Sequence, residues 1–394
     1  MSAESWETTD GGETWTFHLR DGVKWVNMNG EEMADCNAKD FAAGLEWILN
    51  FHKNDSANTS MPIEMIQGAE EYYEYTKTLD KEAACALNGG EGSKFREMVG
   101  LAIPDETTLI YTCKTAKPYF DTLATHNSLY PLAQGLVDKL GVDGVKAMNN
   151  ENMWYNGPYT LTTYIQGNEK IFTPNPNYWD KDCKLFESAT FRMVESDDVT
   201  YHLYQNGEVD YVQLTESMVK TITENPNHEY HDYMVPTRPS AYSYQFHWNY
   251  GKRNHDGSLD ENWNTAIANE AFRRAIYYGM DFTEYFKRTN ALDPISCENV
   301  CFTARHLVNT SEGRDYIELV KDRTGLKNGD GTKPVRYQPE LAKQYKEQAI
   351  EELTALGVTF PVEMDYYIQG ANQINLDSAR VLADTFSKCL GDDF

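Results

Sequence analysis

The sequence predicts a mixed α/β fold, and three observations predict it. Short segments alternate apolar and polar residues, as half-buried strands do. Others carry apolar residues at helical spacing behind a capping residue. The two kinds are interleaved from one end of the chain to the other. In the first alternating segment, Thr14–Leu19, the residues Trp15, Phe17 and Leu19 share a face. Asp21-Gly22 then reads as a hairpin turn into residues 23–25. Asn37 is placed to cap a helix whose apolar stripe is Ala38, Phe41, Leu45, Ile48 and Leu49. Residues 52–98 are polar and aromatic without a clear period, and Asn88-Gly-Gly-Glu-Gly92 within them reads as loop.

Two further hairpins follow. One joins residues 99–103 to 107–113 through Pro104-Asp-Glu106, and the other joins 159–165 to 170–173 through Gly167-Asn168. Asn175-Pro-Asn-Tyr-Trp179 reads as a proline-led loop. Residues 199–205 read as a helix that Asn206-Gly207 stops, with Gly207 in the left-handed position past its end. Residues 209–214, 242–248 and 360–368 read as strands. Asn269 caps a helix with Phe272, Ile276 and Gly279 on one face. The clearest helix is 340–356, with Pro339 in its first turn, Leu341, Tyr345, Leu353 and Leu356 on one face, and Gly357 at its end. No internal repeat is visible.

The 394 residues are enough for two or three compact lobes. With 26 Tyr, 16 Phe and 8 Trp the chain is far too aromatic for disorder. Its formal charge of −26 argues against a nucleic-acid partner, which needs a basic stripe. The acidity favours solubility and, in a general way, cationic solutes, although most of the carboxylates read as solvated surface. No apolar run approaches the ~20 residues that span a bilayer. Residues 1–20 lack a basic stretch followed by an apolar one, so no signal peptide is read here, a reading that depends on Met1 being the true start. The cysteines are scattered and odd in number. Cys297 and Cys301 are close enough for a local disulfide, the others read as buried free thiols, and no zinc spacing follows.

Catalytic motifs are sparse. Phosphate-binding glycine loops, Gly-x-Ser-x-Gly and His-Glu-x-x-His are absent. His228 and His231 read as a surface pair without a third ligand. Asn328-Gly-Asp-Gly331 reads as a plain turn, because a calcium loop needs acids at alternate positions and a closing Glu. Asp197-Asp198 and Glu351-Glu352 are adjacent acids that cannot face each other across a glycoside. Two aromatic clusters remain, Tyr72-Tyr73-x-Tyr75 and Tyr242-x-Tyr244-x-Phe246-x-Trp248. On a strand the second would align four rings, either as a core face or as a ligand platform.

The run Trp-Thr-Phe-His-Leu-Arg-Asp-Gly-Val-Lys-Trp at 15–25 closely resembles a hallmark of the oligopeptide- and dipeptide-binding proteins of ABC importers, solute-binding protein family 5. Further phrases resemble the same family in order: Ala38-Lys-Asp-Phe41, Lys117-Pro-Tyr-Phe120 with Pro131 after it, Asn156-Gly-Pro-Tyr159 with Asn175-Pro-Asn-Tyr-Trp179, Asn206-Gly-Glu-Val-Asp210, Asn269-Glu-Ala-Phe-Arg-Arg-Ala-Ile-Tyr-Tyr-Gly-Met-Asp281, and Tyr337-x-Pro339 before a helix ending in Leu-Gly. The second half looks most like the oligopeptide branch.

The resemblance implies a two-lobed periplasmic-binding-protein-like clamp of type II, incomplete at both ends. Residues 1–156 would form the peripheral part of lobe I, 157–243 its central part, and 244–394 the N-terminal part of lobe II. It implies a monomeric, extracytoplasmic protein, periplasmic or lipid-anchored, with no catalytic residue and no cofactor, which hands oligopeptides to membrane permease subunits. Relatives begin earlier and run further, so Met1 is expected to be an internal methionine or a fragment boundary, and the chain alone is expected to be unstable. The oligopeptide branch's aspartate for the peptide amino terminus would lie beyond Phe394. The ligand-binding residues implied are Tyr242, Tyr244 and Gln245, and Tyr367 and Gln369. The same fold binding an oligosaccharide or a nickel chelate stays open, as does a secreted glycoside hydrolase.

Overall fold

The computed structural model describes residues 2–55, 58–194, 196–235, 242–326, 333–368 and 373–394, with the backbone alone at 197–198 and 373–374. The chain divides into two compact units, Met1–Glu195 and Ser196–Phe394.

The first unit is built on an antiparallel sheet of order β1-β2-β6-β5, formed by β1 (Ala3–Glu7), β2 (Thr14–Leu19), β5 (Leu101–Asp105) and β6 (Thr108–Thr112). β2 keeps the expected alternation, with Trp15, Phe17 and Leu19 buried. They pack with Leu45 and Leu49 of α1 (Ala38–Leu49) and with Tyr111 and Phe120 in one core. The Phe17 ring lies 5.9 Å from Tyr111 and 6.3 Å from Phe120.

The hairpin expected at Asp21-Gly22 does not form. The chain does turn there, with Gly22 at φ +72°. A strand has only two edges, however, and both edges of β2 are occupied: Phe17 pairs with Trp6 of β1 and with Leu109 of β6. The next strand, β3 (Lys24–Val26), therefore leaves that sheet and pairs with β4 (Glu32–Asp35). The other two hairpins form as β5–β6 and as β7 (Tyr159–Ile165) with β8 (Glu169–Pro174). A strand not read from the sequence, β9 (Ala189–Arg192), adds to β8.

Residues 52–98, opaque by sequence, are four short helices: α2 (Ser60–Met65), α3 (Ala69–Thr78), α4 (Lys81–Cys85) and α5 (Lys94–Met98), with loop at 88–92 as expected. The aromatic cluster at 72–75 is core, since Tyr72 is fully buried. Its hydroxyl donates to Glu46 at 2.9 Å. Glu46 also accepts from the buried Lys53 ammonium at 2.7 Å and from Asn50 at 2.9 Å. Each buried charge is thereby paired, as burial requires.

The N-terminus of α1 is fixed by Asp40. Its carboxylate accepts from the Asn37 backbone N–H (3.0 Å), completing a capping box, from the Trp25 indole (2.9 Å), and from the Gln134 N–H (2.8 Å) at the start of a helix, residues 134–146, that breaks at Gly141. Cap, β3 and that helix thus share one buried acceptor. Burial pushes the Asp40 carboxyl above its ordinary value, against the pull of these three donors.

The quoted family phrases and the residues flanking them also fit one another. Val26 and Tyr155 exchange backbone hydrogen bonds of 2.8 Å. The Asn177 amide donates to the Gly30 carbonyl (2.9 Å), the Asn175 amide to the Gly157 carbonyl (2.9 Å), and the Arg20 guanidinium lies 4.1 Å over the Trp179 ring. Gly30 has φ +80°, and a Cβ there would come within 2.6 Å of Pro176.

Described residues of the second unit form no named strand. Its helices include residues 197–205, 216–224, 261–268, 270–279, 283–287, 316–324, 339–355 and 373–390. Asn206 and Gly207 stop the first of these as expected. Asn269 caps the helix Glu270–Gly279 by accepting from the Phe272 N–H at 2.8 Å. Phe272 and Ile276 pack with Trp263, Leu353, Leu382 and Leu390 in the core of this unit. At Gly279 a Cβ would lie 2.6 Å from a Leu390 methyl and 3.3 Å from the Ala342 Cβ, so these helices approach closely.

That approach sets the phase of the helix Pro339–Ala355. Its buried residues are Ala342, Ala349 and Leu353, with Leu341 and Tyr345 half-buried, whereas Leu356 at its end is 67% exposed, against expectation. Small side chains let the helix in, and the stripe runs through Ala342 and Ala349 as well as the expected Leu353. The strands expected at 209–214, 242–248 and 360–368 are coil without a ladder in the described residues. Alternation survives in the third, where Phe360, Val362 and Met364 turn inward. Alternation marks an apolar side, but a ladder also needs a neighbour in register. The Asn328–Gly331 turn lies outside the described residues.

All seven cysteines are free, Cys297 and Cys301 included, and Cys183 is exposed where a buried thiol was expected. Burial, with the nearby Asp40 carboxylate adding to it, pushes the Cys36 thiol up to about 12, although the Asn156 amide donates to it.

Two outcomes are expected. Asp40→Ala strands three donors at once and should lower stability by about 2–4 kcal/mol, read by thermal or urea unfolding. Alkylation of the native chain at pH 8, followed by mass spectrometry, should modify Cys183 readily and leave Cys36 untouched until denaturant is added.

Candidate ligand-binding site

The second unit contains an open concavity of about 2230 Å³, lined by residues between Tyr201 and Phe386. Drug-sized pockets are usually ~300–1,000 Å³, so this one suits an extended ligand. Its wall is built from the three extended segments and from the helices of the core.

The segment 242–248 crosses this wall with graded burial. Its inner end is anchored. Trp248 is half-buried and lies 6.3 Å from the Trp263 ring, and Phe246 stacks on Phe282 at 5.9 Å and meets Tyr366 at 5.8 Å. Its outer end is open, with Tyr242 and Tyr244 77% and 86% exposed. Both alternatives for the four rings are thus realised in part: Trp248 packs against the core, Phe246 is 41% exposed but held by its ring contacts, and the other two are open surface. Ser243 donates to the Phe302 carbonyl, which ties the segment to the loop after residue 297.

Residues 360–368 run beside it. The Lys252 ammonium sits between Asp365 (2.9 Å) and Asp260 (3.2 Å), 5.6 Å from the Trp263 ring. Burial works against its charge, but hydrogen bonds and the charges of both carboxylates outweigh it and hold the group above its ordinary value.

Glu298 fixes the far side. It is 2% exposed and accepts from the N–H groups of Val335 (2.7 Å) and Arg336 (3.1 Å). The Arg336 guanidinium stands 3.4 Å from that carboxylate and 5.0 Å from the Phe282 ring. Arg336, Phe282, Phe246 and Tyr366 therefore form a continuous cation–aromatic stack.

The structure brings Tyr242, Tyr244, Gln245 and Tyr367 to this one concavity, all exposed. Gln369 lies outside the described residues. Sequence reasoning missed Glu298, Arg336 and Arg273. The signal for Arg273 was on the page, inside the phrase Asn269–Asp281, but a family phrase does not say which of its residues face a cavity. Glu298 sits between the two cysteines that drew attention instead. Among the described residues no group of three or more His, Cys, Asp or Glu could hold a metal ion, and no helix is long and apolar enough to cross a membrane. The concavity offers flat aromatic area, guanidinium donors and extended backbone, the materials of recognition.

Known proteins carry the same pattern. The chain is 26% identical to the oligopeptide-binding protein AliA of Streptococcus pneumoniae over 99% of its own length and 58% of that protein. It is 32% identical to the periplasmic oligopeptide-binding protein OppA of Haemophilus influenzae over 62% of its length and 40% of that protein. The chain thus spans little more than half the length of AliA. In fold it resembles the pheromone receptor PrgZ, with a TM-score of 0.68 at 18% identity over 99% of this chain and 66% of that one. It also resembles Haemophilus influenzae OppA in complex with the peptide RPPGFSPFR, with a TM-score of 0.64 at 22% identity over 99% and 64%. The fold class is thereby that of the two-domain solute-binding proteins. The family described as bacterial extracellular solute-binding proteins, family 5, matches residues 1–391, and the chain belongs to it.

Proposed function

We propose that this chain is the ligand-capturing part of an oligopeptide-binding protein of an ABC importer, and that it binds without chemical turnover. One observation carries the reading: an extended segment, 242–248, anchored by Phe246 and Trp248, holds Tyr242 and Tyr244 open in a large concavity of the second unit. A peptide offers backbone groups at regular spacing, and an extended segment outside any ladder among the described residues can meet them while tyrosines cover alternate side chains. Tyr242, Tyr244, Gln245, Tyr367 and Gln369 are the proposed contacts. Tolerance of side-chain sequence follows when main-chain hydrogen bonds supply most of the affinity.

The same proposal assigns residues 1–156 and 157–243 to lobe I and 244–394 to lobe II, makes the protein a monomer outside the cytoplasm, periplasmic or lipid-anchored, and gives it permease subunits as partners. The relatives' printed names, all binding proteins, support capture over catalysis.

Thermal unfolding with a mixed library of short peptides tests the reading. A ligand at 100 times its dissociation constant adds about 2.7 kcal/mol, so the transition should rise with peptides and stay in place with an equal mass of oligosaccharides or with nickel ions. Tyr244→Ala should weaken peptide binding about fivefold or more while leaving the unliganded transition in place, because a residue this exposed contributes little to folding. A rise with oligosaccharides alone would transfer the site to that solute class, and hydrolysis of the library seen by mass spectrometry would make the protein an enzyme.

A further inference from the structure

The chain as a whole carries a formal charge of −26, yet the wall of the concavity carries more basic than acidic side chains, six against four. Three of the carboxylates are already matched across or beside the cavity: Asp365 by Lys252 at 2.9 Å, Glu298 by Arg336 at 3.4 Å, and Glu270 by Arg274. The fourth, Asp210, is exposed on the segment before residue 216. On the basic side, Arg253 and Arg273 donate to backbone carbonyls, of Gly257 at 2.7 Å and of Ile267 at 2.6 Å. Arg305 donates to the Glu298 carbonyl and stands 3.8 Å from Glu318. A carbonyl satisfies a donor without cancelling the charge, and each guanidinium has five N–H donors, so Arg253 and Arg273 keep both charge and donors to offer, whereas Glu318 meets the charge of Arg305.

We propose that the concavity selects solutes bearing side-chain carboxylates next to aromatic or apolar residues, so that the preferred class is acidic, aromatic-containing peptides. This deepens the peptide-binding reading and rests on it. The selection runs against the charge of the whole molecule for a definite reason. Charges beyond a Debye length, about 8 Å at physiological salt, are largely screened from the ligand, whereas those on a concave, low-dielectric wall act on it at contact. The geometry also couples charge to aromaticity. Arg273 lies 5.9 Å over the ring of Tyr250, which is 57% exposed, so a carboxylate that meets this guanidinium sits beside a ring open to the adjoining side chain.

The test uses the full chain, isothermal calorimetry and three pentapeptides that share two tyrosines and differ at two positions, carrying Glu, Gln or Lys. The Glu peptide is expected to bind about tenfold more tightly than the Lys peptide at low salt, with the Gln peptide between. The gap should shrink in about 0.5 M salt. Arg253→Gln and Arg273→Gln should each narrow it about threefold, with a smaller loss of affinity for the Gln peptide than for the Glu peptide. Equal affinities, or tighter binding of the Lys peptide, would overturn the charge preference while the Gln peptide still reported a peptide site. Binding of none of the three would overturn the peptide reading itself, and the preference with it. A gap that neither variant narrows would show that the charge is read by other groups and would remove these two arginines from the proposal.

Discussion

The first unit depends on one buried carboxylate. Asp40 caps α1, holds the Trp25 indole and starts the helix at Gln134, so three elements far apart in sequence take their positions from two oxygen atoms. A carboxylate can accept all three through two oxygens. A neutral Asn would keep only one acceptor oxygen, and an aliphatic residue would keep none. The group is held at a cost, since burial disfavours its charge, and the donors exist to offset that cost. The same logic governs Glu46 beneath the short helices and Glu298 on the cavity wall. An acidic protein has spent a few of its many carboxylates as internal fasteners, each surrounded by N–H, O–H or ammonium donors.

Much of this unit was legible because its local signals are chemical rather than statistical. Asn37 followed by Asp40 is a capping box, and the alternation of Trp15, Phe17 and Leu19 specifies a buried face. The cap at Asn37 and the buried face were read in place, whereas the reciprocal bond from Asp40 emerged only in the structure. The turn at Gly22 was also read correctly and its consequence misread, because a turn signal says that the chain reverses without saying which strand receives it. The helices between residues 60 and 98 escaped for a different reason. Each is about one to three turns long and buries only a few residues, too few to show a period.

In the second unit the helix caps were legible and the extended segments were only half so. Phe360, Val362 and Met364 alternate inward as a strand would, but pairing is a property of two segments and cannot be read from one. The candidate site shows the same limit. Tyr242 and Tyr244 stood out as an aromatic run, whereas Arg273, Glu298 and Arg336 acquire meaning only when helix and loop bring them round one space. The exposed leucine at 356 makes the complementary point, since the buried positions of its helix include Ala342 and Ala349, small residues that hydrophobic pattern reading passes over.

The bond from Asn177 to the Gly30 carbonyl spans 147 residues, and it bears on how the chain is made. The loop at 27–31 leaves the ribosome early, but its partners at 155–177 do not exist until much later. At about 5–20 residues per second the wait is roughly 7–30 s. Through that interval the β2 sheet and its buried aromatics have only part of their final surroundings. The loop after β3 is therefore locked late, near the end of the synthesis of its unit, and the nascent chain before that moment is the form that most needs protection from premature pairing.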